Sequence, residues 1–215
     1  MLVVLVLLVG IGTSIFILFQ KAQRDQTTPY STNPGTLALN ESLSKPNNNL
    51  PTTTNCAFTG GAYRLTAPKG AYTLCTRGPS FGNFAFEVQM TALKGDCGGI
   101  VFRDDTEGHY YLFEVCPNGG YAVYLYFGQG ANDFEMLQIG RSSAIKTGLN
   151  QSNLVAAMAI DQDIHLYINR QSISILRDKS YNIGEIGFIA DGSGANVGAA
   201  TSTEVAYNNL KVWTF

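Results

Sequence analysis

The stretch CGGIVFRDDTEGHYYLFEVC (97–116) is the most informative about the fold, because its residue pattern predicts two β-strands joined by a polar turn. Its two ends, 97–103 and 110–116, are rich in β-branched and aromatic residues, whereas the middle is polar and contains a glycine. This pattern predicts an antiparallel hairpin in which Arg103 lies opposite Tyr110.

The hairpin register also indicates how the four cysteines pair, which their spacing alone does not settle. Cys97 lies opposite Cys116 in that register, and directly opposed Cβ atoms are about 4.5–5.5 Å apart, so a modest adjustment permits a disulfide. The remaining pair is Cys56 with Cys75. An even number of cysteines without a Cys/His cluster is typical of disulfides in an exported chain. The alternative is buried free thiols in a cytosolic domain.

Further strands extend on both sides of the hairpin, with Gly, Asn and Asp in the turns between them. FAFEVQM (84–90) alternates apolar and polar residues, and an Asp-Gln-Asp turn separates LVAAMAI (154–160) from IHLYINR (164–170). About ten to twelve such short strands predict an all-β fold, a two-sheet antiparallel β-sandwich of the jelly-roll type, over residues 56–215.

The N-terminal residues differ sharply from this domain. Residues 1–20 hold an uncharged apolar run that is long enough to cross a bilayer as a helix, so we predict a single transmembrane anchor. A cleaved signal peptide is the alternative. Residues 21–55 are rich in Thr, Ser, Asn and Pro and are predicted to be a disordered linker.

Orientation signals around the apolar run conflict. Lys21 and Arg24 follow it, which favours a cytoplasmic C-terminal side. The cysteines and the sequons at Asn40 and Asn150 favour an extracytoplasmic domain held at the cell membrane, which is the localisation we predict. A cytoplasmic domain preceding Met1 would reconcile the two signals. The net charge of −2, without a basic run, argues against nucleic acid as a partner.

The strand motifs resemble those of the concanavalin A-like lectin/glucanase superfamily. GGIVFR and YYLFEV, then a Gly-Gly turn and YAVYLY, are similar to middle strands of these sandwiches. LVAAMAIDQDIHLYINRQSI and NNLKVWTF resemble the C-terminal strands of laminin-G-like and 3-keto-disaccharide hydrolase-like jelly rolls. The architecture is also similar to jelly-roll ectodomains that follow a single span in some bacterial serine/threonine kinases.

The resemblance implies a sugar-binding function on the concave face of one sheet. Arg103, Tyr110 and Glu114 are predicted on the face of the hairpin that points away from the core, where they could bind hydroxyl groups and stack on a sugar ring. The alternative is a solvated Arg103–Glu114 surface pair. Trp213 is predicted to point away from the core of the last strand, as a sugar platform or as a lid over an edge.

A tyrosine pair and a glycine-rich loop are further candidate functional features, but their sequence patterns are less specific. Tyr124 and Tyr126 point into the core if a two-residue turn precedes their strand and outward if the loop is longer, and core packing is the favoured interpretation. The loop 191–196 could offer oxygens to calcium, which laminin-G-like folds often bind, although a plain flexible loop is favoured. No other metal or cofactor is predicted.

These observations favour a membrane-tethered extracytoplasmic domain that binds carbohydrate, as the sensor part of a receptor. The alternatives are a glycoside-processing hydrolase of the 3-keto-disaccharide hydrolase or glucanase type, and a structural or adhesive surface domain. Glucanases of this superfamily carry a Glu-x-Asp-x-x-Glu strand that places two carboxyl groups side by side. No such motif occurs in this sequence, which argues against enzymatic activity.

Overall fold

Alternating apolar residues build strands in the computed structural model, which describes residues 35–47, 49–76, 78–130, 133–194 and 201–215. The strands in chain order are β1 (Thr36–Glu41), β2 (Cys56–Thr59), β3 (Ala62–Ala67), β4 (Tyr72–Thr76), β5 (Phe84–Lys94), β6 (Cys97–Asp104), β7 (His109–Val115), β8 (Gly120–Phe127), β9 (Phe134–Arg141), β10 (Ser152–Ile160), β11 (Asp163–Ile168), β12 (Gln171–Arg177), β13 (Glu185–Asp191) and β14 (Thr203–Thr214). Within the described ranges, no helix has the length and apolar character needed to cross a membrane. The predicted anchor, residues 1–20, lies outside those ranges.

The strands form two antiparallel sheets. The eight-stranded sheet has the order β12-β11-β10-β5-β14-β3-β2, with β1 paired to β14. The six-stranded sheet has the order β4-β13-β6-β7-β8-β9. Apolar side chains from both sheets meet in one buried cluster, so the predicted two-sheet antiparallel sandwich is confirmed.

The core follows the alternation that the sequence predicts. Phe84, Phe86, Val88 and Met90 of β5 all point into the buried cluster. The hairpin supplies the facing residues from β6 and β7, namely Ile100, Phe102, Tyr111, Phe113 and Val115.

The register of the β6–β7 hairpin is the predicted one. Ile100 pairs with Phe113 and Gly99 with Glu114, which sets the two cysteines at the hairpin ends opposite each other. Both predicted disulfides, Cys56–Cys75 and Cys97–Cys116, are present.

The predicted linker is corrected over its C-terminal part. Residues 36–41 form β1, which pairs with the C-terminal half of β14, and Leu43 and Leu50 are buried in the core cluster. The compact unit therefore begins at Gly35 rather than at Cys56. Residues 21–34 of the predicted linker lie outside the described ranges.

Candidate functional site

The outer face of the six-stranded sheet carries a row of aromatic side chains beside acidic groups. Alternation along β7 places Leu112 and Glu114 on this face, because their neighbours in the strand point into the core. Strand β8 adds Tyr124 and Tyr126, which pair with Leu112 and Tyr110 across the ladder. The sheet surface itself thus brings aromatic, aliphatic and acidic groups together.

These side chains line a groove with a volume of about 450 Å³. Leu112 and Glu114 belong to β7 and Ile189 belongs to β13, both inside the sheet, whereas Tyr72 and Phe134 come from its two edge strands. The complete lining is Gly70, Ala71, Tyr72, Leu112, Glu114, Tyr124, Tyr126, Phe134, Ile189, Asp191 and Ser193. A second cavity of about 230 Å³ shares Tyr72 with this groove and is lined by Tyr110, so the two adjoin along the sheet.

The aromatic rings of the groove contact one another at defined angles. Phe134 lies 5.5 Å from both Tyr124 and Tyr126, measured between ring centroids, at interplanar angles of 86° and 34°. Tyr110 stacks on Tyr126 at 4.5 Å and 15°, and Tyr72 lies 6.4 Å from Tyr126. Because each ring packs against others, the rings restrict one another's rotation, and the aromatic wall should lose little conformational entropy on binding.

Two buried carboxylates face the aromatic wall. Glu114 is 1% exposed and Asp191 is 7% exposed, and both line the groove. Asp191 accepts hydrogen bonds from the backbone N–H and the hydroxyl of Ser193, at 2.7 and 2.9 Å. Burial raises the pKa of Tyr126, and Tyr72 adds to this effect. The carboxylates of Glu114 and Asp191 raise the same pKa further, which indicates a negative potential at that ring.

Arg103, which the sequence predicts beside this site, lies elsewhere. Its backbone has a φ of 55°, and the pairing with β13 shifts register between Phe102 and Asp104, so Arg103 is the extra residue of a β-bulge. The side chain is 1% exposed and donates hydrogen bonds to the carbonyls of Tyr181 (2.9 Å) and Gly82 (3.1 Å). The bulge therefore turns Arg103 toward the end of the sandwich, away from the groove lining.

The other predicted site residues divide between the two sheets. Glu114 is in the groove, and Tyr110 lies in the adjoining cavity, stacked on Tyr126. Trp213 does point away from the core, as predicted, but it belongs to β14 and pairs with Leu37 and Ala85 in the eight-stranded sheet. The structure thus places Tyr110 and Glu114 on the same face of one sheet, in adjoining cavities, and leaves Trp213 on the opposite face of the sandwich.

Sequence reasoning favoured core packing for Tyr124 and Tyr126, but both lie on the outer face of the sheet and not between the sheets, although Tyr124 is buried there (6% exposed). Residues 116–119 connect β7 to β8, a loop longer than two residues, and this length turns both tyrosines outward. The alternative with a longer loop is the correct one. Tyr72 and Phe134 lie on edge strands far apart in sequence, and no local signal marks them as groove residues.

The calcium prediction for loop 191–196 stays a prediction. Of its described residues, Asp191 directs both carboxylate oxygens at Ser193 within the same loop. The carboxylate of Asp96, in the β5–β6 turn, also interacts with Asp191. Residues 195 and 196 lie outside the described ranges.

No protein-family model matches this sequence, and no curated protein is significantly similar to it. Solved structures match in fold. The carbohydrate-binding module CBM66 from Bacillus subtilis has a TM-score of 0.59 at 12% identity, with 85% of this chain and 98% of that chain covered. A Bacillus licheniformis beta-glucanase has a TM-score of 0.56 at 14% identity, with 84% and 99% covered. A beta-1,3-1,4-glucanase (lichenase) derived from a mouse hindgut metagenome reaches 0.60 at 12% identity, with 84% and 100% covered.

These likenesses show the fold alone. The described part of the chain has the concanavalin A-like lectin/glucanase fold, as the strand motifs indicate. Function is carried by a site rather than by a fold.

Proposed function

We propose that this protein is a carbohydrate-binding domain and that the groove on the six-stranded sheet is its binding site. The observation that carries the proposal is the aromatic wall of Tyr124, Tyr126 and Phe134 beside the carboxylate of Glu114. Sugar rings have apolar faces that pack on aromatic side chains and hydroxyl edges that donate hydrogen bonds to carboxylates. The fold likeness to a carbohydrate-binding module supports the same proposal.

The size of the groove favours an oligosaccharide as the ligand. The main cavity of about 450 Å³ and the adjoining cavity of about 230 Å³ share Tyr72, so they form one continuous surface along the sheet. A chain of several sugar units would contact Phe134 and Glu114 in the first cavity and Tyr110 in the second.

A glycan-array assay followed by calorimetry on the best ligand tests the proposal. We expect Tyr126→Ala to weaken binding by at least about tenfold, because it removes the ring that contacts Tyr110, Tyr124 and Phe134. Trp213→Ala is the matched control, since it removes an aromatic ring from the opposite sheet and should leave affinity unchanged. If no glycan binds the purified protein, or if both variants weaken binding equally, the proposed site is wrong.

Hydrolysis in the same groove is the second candidate function. Glu114 and Asp191 are two carboxylates in a groove of a glucanase-like fold, which is the observation in favour. Against it, β7 has the sequence HYYLFEV and lacks the paired-carboxylate pattern of glucanases. Product analysis with β-glucans distinguishes the two: turnover that is lost in Glu114→Gln would establish an enzyme, and binding without turnover would establish a lectin-like domain.

We also propose that residues 1–20 anchor the domain to a membrane with the groove on the extracytoplasmic side, as the sensor part of a receptor. The support comes from the apolar run in the sequence and from the two disulfides, which persist in oxidising compartments. Membrane fractionation of the native source, with protease added from outside the cell, tests this arrangement. Recovery of the protein in the soluble cytoplasmic fraction would contradict it.

A further inference from the structure

We propose that the groove selects saccharides that carry a positive charge, namely chains containing hexosamine units with a free amino group. This inference rests on the proposed function and names the class of sugar that the site prefers. The proposal rests on an aromatic wall of three rings that faces two buried carboxylates.

The first step concerns charge. Glu114 and Asp191 are both more than nine-tenths buried and both line the groove. None of the described residues that line it is a lysine or an arginine. A carboxylate in a site of low dielectric interacts strongly with a charge of either sign, so the lining favours an ammonium group and disfavours an acidic sugar.

The second step concerns the rings. Tyr124 and Phe134 meet nearly perpendicularly at 5.5 Å, and Tyr126 lies 5.5 Å from Phe134 and 6.4 Å from Tyr124. Three rings at these distances form a corner rather than a flat platform. Aromatic faces carry negative quadrupole charge and attract ammonium groups that lie within about 6 Å of the ring centre.

The third step concerns the field that the two carboxylates create at the wall. Both Glu114 and Asp191 raise the pKa of Tyr126, so the negative potential of each carboxylate reaches this ring. The carboxylates and the aromatic faces consequently act on the same volume and favour the same kind of ligand. A neutral sugar gains the stacking contacts and the hydroxyl hydrogen bonds, whereas an amino sugar gains the charge interaction as well.

Calorimetry with matched tetrasaccharides tests the inference. The probes are tetramers of β-1,4-linked glucosamine, of N-acetylglucosamine and of glucose, compared at mildly acidic pH and low salt, where the free amine is protonated. We expect the glucosamine tetramer to bind at least about tenfold more tightly than either neutral tetramer. The difference should shrink as salt is added, because charge interactions are screened.

Variants then assign this preference to the groove. Glu114→Gln removes the charge at nearly constant volume and should weaken binding of the glucosamine tetramer more than binding of the neutral tetramers, so that the preference for glucosamine shrinks. Glu87→Gln is the matched control, because Glu87 is also buried (4% exposed) but lies on the eight-stranded sheet, where it should not affect the preference. Circular dichroism and the melting temperature show whether each variant is folded.

The possible outcomes separate the two proposals. If a neutral tetramer binds as tightly as the glucosamine tetramer, or more tightly, this inference is overturned and the proposed function stands. If glucosamine is preferred but Glu114→Gln and Glu87→Gln have equal effects, the charge lies elsewhere and the inference is overturned. If no saccharide binds, here or on the glycan array, both proposals fail.

Discussion

At the scale of single residues, the Tyr207 hydroxyl connects the two sheets. Tyr207 belongs to β14 of the eight-stranded sheet and is fully buried. Its oxygen accepts a hydrogen bond from the N–H of Gly99 (2.9 Å) and lies 2.9 and 2.6 Å from the carbonyl oxygens of Gly99 and Ile189. Because Gly99 pairs with Glu114, this hydroxyl supports the floor of the groove from the core side.

Tyr207→Phe should therefore destabilise the protein although it removes a single oxygen atom. The N–H of Gly99 loses its acceptor inside the core, which costs about 1–3 kcal/mol in the free energy of unfolding. Denaturant unfolding measures this loss. Tyr72→Phe, at a 42% exposed tyrosine, is the control and should change stability by less than about 0.5 kcal/mol. Equal effects of the two variants would contradict the proposed support.

Asp96 gives the protein an unusual dependence on pH. Its carboxyl is fully buried in the β5–β6 turn. Burial, followed by the nearby carboxylate of Asp191, raises the pKa of Asp96 to about 6. The backbone N–H groups of Gly194 and Cys97 oppose the shift without cancelling it.

A raised carboxyl pKa reverses the usual sign of the stability change. The folded state holds the Asp96 proton more tightly than the unfolded chain does, so this group stabilises the fold below about pH 4. That contribution is lost as the pH rises to about 6. Relative to the wild type, Asp96→Asn should thus gain up to about 3 kcal/mol between about pH 4 and pH 7. Denaturant unfolding across this range measures the difference, and a pH-independent difference would refute the assignment.

The sequence predicts the direction of some strand side chains, toward the core or outward, but not of others. Alternation correctly placed Ile100 and Phe113 in the core and Glu114 on the outer face, because regular strands have a period of two. It failed at Arg103, where a bulge adds one residue and reverses the side chain. A bulge depends on the pairing of β6 with β13, which lies far along the chain, so local sequence does not reveal it.

At the scale of secondary-structure elements, β1 is likewise a feature that the local sequence does not predict. Leu37 and Leu39 are the main apolar residues of this strand, in a run otherwise typical of a linker. Its partner β14 is the last strand of the chain, and only that distant pairing makes β1 a strand. The hairpin of β6 and β7, by contrast, was predictable because both strands and their turn are contiguous in sequence.

Leu43 tests whether the segment after β1 belongs to the folded unit. This side chain is 1% exposed and packs in the core cluster, so Leu43→Ala should lower the free energy of unfolding by about 2–5 kcal/mol. Leu37→Ala is the matched control, because Leu37 is 48% exposed and its truncation should cost less than about 0.5 kcal/mol. If Leu43→Ala is as stable as Leu37→Ala, residues 35–50 are dispensable and the domain begins near Cys56, as the sequence suggested.

At the scale of the whole molecule, the outer faces of the two sheets differ in chemistry. The six-stranded sheet presents the aromatic groove. The eight-stranded sheet presents a polar cavity of about 420 Å³, in which Glu87, Arg170 and Lys211 take part. None of the described residues that line this second cavity is aromatic, so of the two cavities only the groove offers rings on which a sugar can stack. This difference could not be foreseen, because it depends on strand order rather than on local pattern.

The two disulfides connect different parts of the sandwich, although they close loops of equal length. Cys56–Cys75 joins β2 of one sheet to β4 of the other, whereas Cys97–Cys116 closes the β6–β7 hairpin within one sheet. Both have a sequence separation of 19. The chain-entropy account consequently assigns each about 3 kcal/mol of stabilisation.

Replacing each pair by alanines tests that account. We expect both double variants to lose about 3 kcal/mol in denaturant unfolding, because the restriction that each bridge places on the unfolded chain is the same. A larger loss for the Cys56–Cys75 variant would show that bridging the two sheets also stabilises the folded state itself. Losses below about 1 kcal/mol for both would mean that the bridges do little for the fold, and would remove the main support for an oxidising compartment.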